Sequence, residues 1–111
     1  MTKQIEEWVT VAVTIDLSAG SACTVSVHGR DIAIYNVDGQ YYATDDVCTH
    51  AYARLSLGFL EGHEIECPLH FGRFDIRTGK GLCAPIESEL RTYKLRTEGD
   101  KIQLLVDGTF A

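Results

Sequence analysis

Apolar positions in this chain come in short runs, some continuous and some alternating with polar ones, divided by turn signals. Trp8-Val9-Thr10-Val11-Ala12 reads as a strand, as do Cys23 to Val27 and Asp31 to Val37. Asp38-Gly39 lies between Ile34-Tyr35-Asn36-Val37 and Gln40-Tyr41-Tyr42-Ala43, a strong hairpin signal. Gly62-His63 predicts a turn ahead of Glu64-Ile65-Glu66, and Thr78-Gly79-Lys80-Gly81 predicts another. Tyr93 to Thr97 and Lys101 to Val106 flank Glu98-Gly99-Asp100 as a second clear hairpin. Little of the chain has a helical period over a useful length, and it holds no internal repeat, low-complexity run or linker. Many short strands divided by turns predict an all-β domain, a sandwich or a barrel.

Length and charge narrow the picture. A chain of 111 residues is expected to be one domain, 1–111, with a single small core. A hydrophobic content of 45% is that of a folding chain. The longest uncharged run near the start, Trp8 to Ile15, is too short to span a membrane. Met1-Thr2-Lys3-Gln4 runs straight into Glu6-Glu7, which is not the layout of a signal peptide. The expected location is therefore the cytoplasm, where four cysteines are reduced, metal-bound or catalytic rather than disulfide-bonded. A net charge of −6 argues against nucleic acid, which needs a basic stripe, and suits docking on basic patches of protein partners.

The chemistry concentrates between residues 48 and 70. Cys48-Thr49-His50 and Cys67-Pro68-Leu69-His70 supply one thiol and one imidazole each, and sixteen residues separate His50 from Cys67. Thiolate and imidazole both suit borderline-soft metals. Two of each fit either a tetrahedral zinc site or a Rieske-type 2Fe-2S cluster, in which histidines replace the cysteines on one iron. A zinc finger takes its cysteines from one knuckle and its histidines from a helix. Here each loop carries a mixed pair, which suits two irons with different ligands. Cys48 and Cys67 would hold the buried iron, and His50 and His70 the iron nearer solvent.

These loops resemble those of the Rieske ferredoxin components of bacterial aromatic-ring hydroxylating dioxygenases, the naphthalene-dioxygenase kind in particular. Gly72-Arg73-Phe74-Asp75, Thr78-Gly79-Lys80, Cys83-Ala84-Pro85, Ala43-Thr44-Asp45-Asp46 and Leu60-Glu61-Gly62 add to the likeness, which runs from about Val25 to Val106. The resemblance implies a Rieske fold: an antiparallel β-sandwich with a small cluster-binding subdomain, about 45–86, whose two ligand loops form one tip. It implies a third, proline-containing loop at Cys83, Ala84 and Pro85. It also implies a one-electron carrier between an NAD(P)H-dependent flavin reductase and a terminal Rieske non-haem iron oxygenase. Such a carrier is expected to be a monomer, neither membrane-bound nor itself an enzyme. The alternatives are the small Rieske subunit of an assimilatory nitrite reductase and a zinc-stabilised binding module without redox function.

The remaining reactive residues read more plainly. Cys23 alternates with Val25 and Val27, as a small core residue does. Cys83 is expected to pack near the cluster without ligating it. His28 and His63 sit at turns, with no carboxylate partner motif to make a mononuclear iron site. No phosphate or dinucleotide fingerprint occurs, so flavin and nicotinamide belong to another protein. Tyr52, Leu69, Phe71 and Pro85 are expected to form an apolar rim around His50 and His70, the electron exits. Asp45, Asp46, Glu61, Glu64 and Glu66 form either a solvated face or a docking surface.

Respiratory-complex Rieske proteins carry an extra cysteine in each loop, joined as a disulfide, and aim a serine and a tyrosine hydroxyl at the cluster or cysteine sulfurs. The matching positions here are Ala53, Leu69, Gly72 and Phe74. Without those donors the reduced cluster is less stabilised. The midpoint is therefore expected towards the bottom of the Rieske span of roughly −150 to +300 mV. A potentiometric titration that placed it well above zero would contradict this.

Overall fold

The third strand is buried on both faces, and the rest of the architecture follows from that. The computed structural model describes residues 6–48, 53–69, 72–82 and 89–110. Its strands are β1 (Glu7–Val13), β2 (Ala22–Val27), β3 (Arg30–Val37), β4 (Gln40–Asp45), β5 (Phe59–Glu61), β6 (Glu64–Glu66), β7 (Arg73–Asp75), β8 (Thr92–Tyr93), β9 (Leu95–Glu98) and β10 (Lys101–Val106). They form three sheets, ordered β1-β10-β9, β2-β3-β4-β8 and β5-β6-β7, with every strand pair antiparallel.

Alternation along β3 places one apolar set in each of two cores. Ile32 and Ile34 join Leu17, Val27, Ala43, Ile102, Leu104 and Val106 in the sandwich between the first two sheets. Ala33 and Tyr35 face the other way, onto Leu55, Ile65, Phe74, Ile76 and Leu90. That second core glues the small sheet to the far face of the four-stranded one.

Local chemistry sets the turns. Asp38 and Gly39 have φ of 52° and 85°, and His28 and Gly29 have 50° and 78°, the left-handed pair that a tight mirror-image hairpin turn demands. Asn36 secures the first of these hairpins. Its Oδ1 accepts the Gly39 N–H at 2.8 Å while its Nδ2 donates to the Leu17 carbonyl at 2.8 Å.

Two departures from the sequence pattern matter. Tyr93 to Thr97, read as one strand, divides between two sheets. Thr92–Tyr93 pairs with β4 and Leu95–Glu98 pairs with β10. The Lys94 carbonyl accepts the Leu105 N–H at 3.0 Å, and the Tyr93 hydroxyl donates to Asp45, so each half is anchored to a different layer. In β1 the register shifts between Thr10 and Ala12, a bulge that interrupts strict alternation.

The chain leaves the four-stranded sheet after Asp45 and returns at Thr92, where Ala43 pairs with Tyr93 and Thr44 with Thr92. The Asp45 N–H bonds the Arg91 carbonyl at 2.9 Å. Everything between is an excursion whose ends touch, and both cysteine loops lie within it. Among the described residues no helix is long and apolar enough to cross a membrane.

Ile34 is fully buried in the central strand. Ile34→Ala is expected to cost about 3 kcal/mol, read as a lower midpoint in chemical denaturation followed by circular dichroism.

Candidate metal centre

Both cysteine loops are closed in the same way. The Cys48 N–H bonds the Ala53 carbonyl at 2.9 Å, and the Cys67 N–H bonds the Gly72 carbonyl at 2.8 Å. Each loop thus returns five residues after its cysteine, and each is stiffened at its base. The first follows the end of β4 and is closed again by a bridge between Val47 and Arg54. The second connects β6 to β7.

Cys48 is 4% exposed and Cys67 fully buried, and both belong to the core beneath the small sheet. Cys23, Cys48 and Cys67 are all free thiols. Two unoxidised thiols brought into one apolar core from separate loops, each closed at its base by a backbone bond, fit the inner, cysteine-bound half of a 2Fe-2S site. His50 and His70 lie outside the described residues, as do Tyr52, Phe71, Cys83, Ala84 and Pro85. Leu69, two residues after Cys67, is exposed, and Phe74 is fully buried in the core.

Gly58 joins the two loops mechanically. It follows the 3-10 turn Leu55–Leu57 that succeeds the first loop. A Cβ there would stand 2.0 Å from the carbonyl oxygen of Glu66, the residue before Cys67. The requirement is steric, because the backbone of one loop's exit lies directly on the other loop's entry.

The expected acidic face is partly internal. Asp46 is fully buried. Its Oδ1 accepts the Ser56 N–H at 2.8 Å and its Oδ2 accepts Arg54 at 3.0 Å. Its backbone bonds the Asp31 carbonyl and the Leu55 N–H, and Arg54 reaches on to Asp31 at 3.2 Å. Burial alone would raise the Asp46 carboxyl. The hydrogen bonds from the Ser56 N–H and hydroxyl, Thr24 and Arg54 together outweigh it and hold the group below the ordinary aspartate value. Asp46 is therefore a brace behind the first loop. Asp45 is half-buried under the Tyr93 hydroxyl. Glu64 and Glu66 lie 3.5 and 3.2 Å from Arg73.

A chain of hydroxyls lies behind the cysteines. The Thr44 hydroxyl donates to the Asp45 carbonyl at 2.8 Å, which leaves its oxygen to accept the Tyr35 hydroxyl at 3.0 Å. Burial, first of all, raises the Tyr35 phenol far above its usual value, so it stays protonated.

Cys23 is half-buried in β2, packed against the sandwich core as expected. Burial, and then Asp46, push its thiol up, away from the reactive thiolate. His28 is exposed, its ring edge-on to Phe110 at 5.9 Å. His63 is half-buried and lies 3.4 Å from the Tyr42 hydroxyl. Sequence reading missed the bracing role of Asp46, Arg54 and Ser56, and the contact at Gly58. A glycine just ahead of a strand was the one available signal.

Residues 7–94 match the family model described as Rieske [2Fe-2S] domain. The chain is 46% identical over 99 residues to the ferredoxin component of the naphthalene 1,2-dioxygenase system of Pseudomonas aeruginosa, covering 89% of this chain and 95% of that one. The ferredoxin of carbazole 1,9a-dioxygenase from Nocardioides aromaticivorans IC177 superposes with a TM-score of 0.83 at 34% identity, over 87% of this chain and 95% of that one. A ferredoxin solved in complex with the oxygenase of a carbazole 1,9a-dioxygenase gives 0.82 at 35%, over 87% and 91%. A nitrite reductase small subunit from Mycobacterium tuberculosis has a TM-score of 0.83 over 92% and 96% but 22% identity, a likeness of fold alone.

Asp46→Asn would turn an amide N–H₂ towards a donor it now accepts from, at a cost of about 2 kcal/mol. Because the folded carboxyl is held low, the stability it lends is complete above an ordinary aspartate value of about 3.9 and is lost as pH falls through the folded value. The acid limb of a stability–pH curve is therefore expected to flatten in Asp46→Asn. Gly58→Ala is expected to lower iron and sulfide per chain, measured on the purified protein, because the Glu66 carbonyl must move.

Proposed function

This chain belongs to the Rieske [2Fe-2S] domain family, and we propose that it is the one-electron carrier of a multicomponent aromatic-ring dioxygenase. In this reading it takes electrons from an NAD(P)H-dependent flavin reductase and hands them to a terminal Rieske non-haem iron oxygenase. The observation that carries the reading is a pair of identically closed loops presenting buried Cys48 and Cys67 to one core, in a chain 46% identical to a naphthalene dioxygenase ferredoxin component.

A bound 2Fe-2S cluster supplies reversible one-electron chemistry. Cys48 and Cys67 would hold its inner iron, and His50 and His70 the outer one. Ala33, Tyr35, Ile65 and Phe74, packed with the cysteines, keep water from the thiolate side. The carrier catalyses no reaction itself, works as a monomer in the cytoplasm, and occupies the chain as one domain with its cluster-binding part at about 45–86. The relative solved with its oxygenase supports the acceptor. The nitrite reductase reading has only the shared fold behind it, and family membership displaces the zinc module.

Absorption and low-temperature EPR of the protein, oxidised and then reduced with dithionite, test this directly. Two irons and two sulfides per chain and a reduced signal of low average g are expected. Cys67→Ser and His70→Ala are expected to lose the colour, and Cys23→Ser to keep it. A colourless protein binding one zinc, and refusing iron and sulfide on reconstitution, would overturn the proposal.

A further inference from the structure

The outer face of the small sheet has a composition that its own fold does not explain. Strand register puts Leu60, Ile65 and Phe74 in one row, and that row is the inward one, packed in the core beside the cysteines. The alternate rows face out. One consists of Phe59, Glu66 and Arg73, the other of Glu61, Glu64 and Asp75. Like charges directly opposite on neighbouring strands oppose folding, and here three carboxylates stand in one row.

The cations of this face are already engaged. Arg73 is shared by Glu64 and Glu66, and Arg77 is bound to Asp75 at 3.0 Å. Four carboxylates against two guanidiniums leave an excess of negative charge. An aromatic ring lies at the margin of that field: Phe59 is 63% exposed, and Leu57, two residues earlier, is 73% exposed. Phe59, Leu60, Glu61, Glu64, Glu66 and Arg73 line a groove of about 390 Å³. The edge of β7 is covered by the bridge from Phe74 to Gly81, whereas β5 is the outermost strand on its side. The face also adjoins the cysteine loop, since Glu66 precedes Cys67 and Arg73 follows Gly72, whose carbonyl holds the Cys67 N–H.

We infer that this face is a docking surface for a redox protein that presents lysines or arginines around an apolar centre. The inference rests on the carrier reading above. Phe59 supplies the apolar anchor, and Glu61 and Glu64 steer a cationic partner to it. The steering weakens as salt shortens the Debye length. The occupant is cationic because the face is anionic, and it is a redox protein because the loop of Cys67 begins one residue from the groove.

Cytochrome c, whose exposed haem edge is ringed by lysines, is a suitable probe. One electron leaves the reduced protein and converts one ferric haem to ferrous, followed by stopped flow at low and high ionic strength. Glu61→Lys and Phe59→Ser are each expected to slow the bimolecular rate about fivefold or more at low salt, with the optical spectrum and midpoint of the cluster unchanged. Glu98→Lys makes the same change in net charge in β9, in the sheet on the far side of the sandwich, and is expected to have little effect. Equal slowing by Glu61→Lys and Glu98→Lys, together with an unaffected Phe59→Ser, would overturn the docking surface and leave the carrier intact. A wild-type protein that holds a reducible cluster but reduces no cytochrome c at either ionic strength would count against the carrier reading as well.

Discussion

A carboxylate that never reaches water holds the cysteine loops in place. Asp46 stands where the four-stranded sheet gives way to the first loop, and it bonds to segments distant from each other in sequence. Its backbone continues the sheet to Asp31. Its side chain takes the Ser56 N–H at the 3-10 turn and the guanidinium of Arg54. Burying such a group costs free energy unless its bonds are complete, and here they are complete enough to keep it ionised. The loop bearing Cys48 therefore leaves the sheet from a fixed point in a fixed direction. Gly58 then passes that fixity to the second loop through its contact with the Glu66 carbonyl. Two cysteine-bearing loops distant in sequence thus share one support.

The motif spacing that marks the family, the hairpins and the all-β class were legible because each is a local signal. Cys-x-His and Cys-x-x-His declare their chemistry within a few residues, and Asp38-Gly39 prescribes its own turn. The acidic residues were not legible in the same way. Asp45, Asp46, Glu61, Glu64 and Glu66 look equivalent in a string of letters, but Asp46 is internal and Glu61 is at the surface. Only the arrival of Ser56 and Arg54 from elsewhere in the chain distinguishes them. The crossing at Lys94 was hidden for a related reason. Tyr93 and Leu95 both read as strand, and the sheet that each joins is decided by partners at Ala43 and Leu104.

The same division organises the molecule for work. The buried residues of the sandwich core, Ile32, Ile34, Ile102 and Leu104 among them, are aliphatic and supply rigidity. The second core, with Tyr35, Ile65 and Phe74, packs around the two cysteines of the candidate metal centre. β3 belongs to both, so the site is mounted on the most constrained strand of the fold. A carrier gains from such a mounting, because fixed dipoles and excluded water keep the change in surroundings small when one electron is added or removed.

The touching ends of the excursion between Asp45 and Thr92 give the fold a modular character. With the Asp45 N–H on the Arg91 carbonyl, the sandwich closes without help from what lies between, and a short turn could in principle span the gap. The underside would resist, because Ala33 and Tyr35, fully buried beneath the small sheet, would become a bare apolar floor. The metal-bearing part is thus topologically detachable but not physically so. A transplant to another sandwich would need to carry that floor with it.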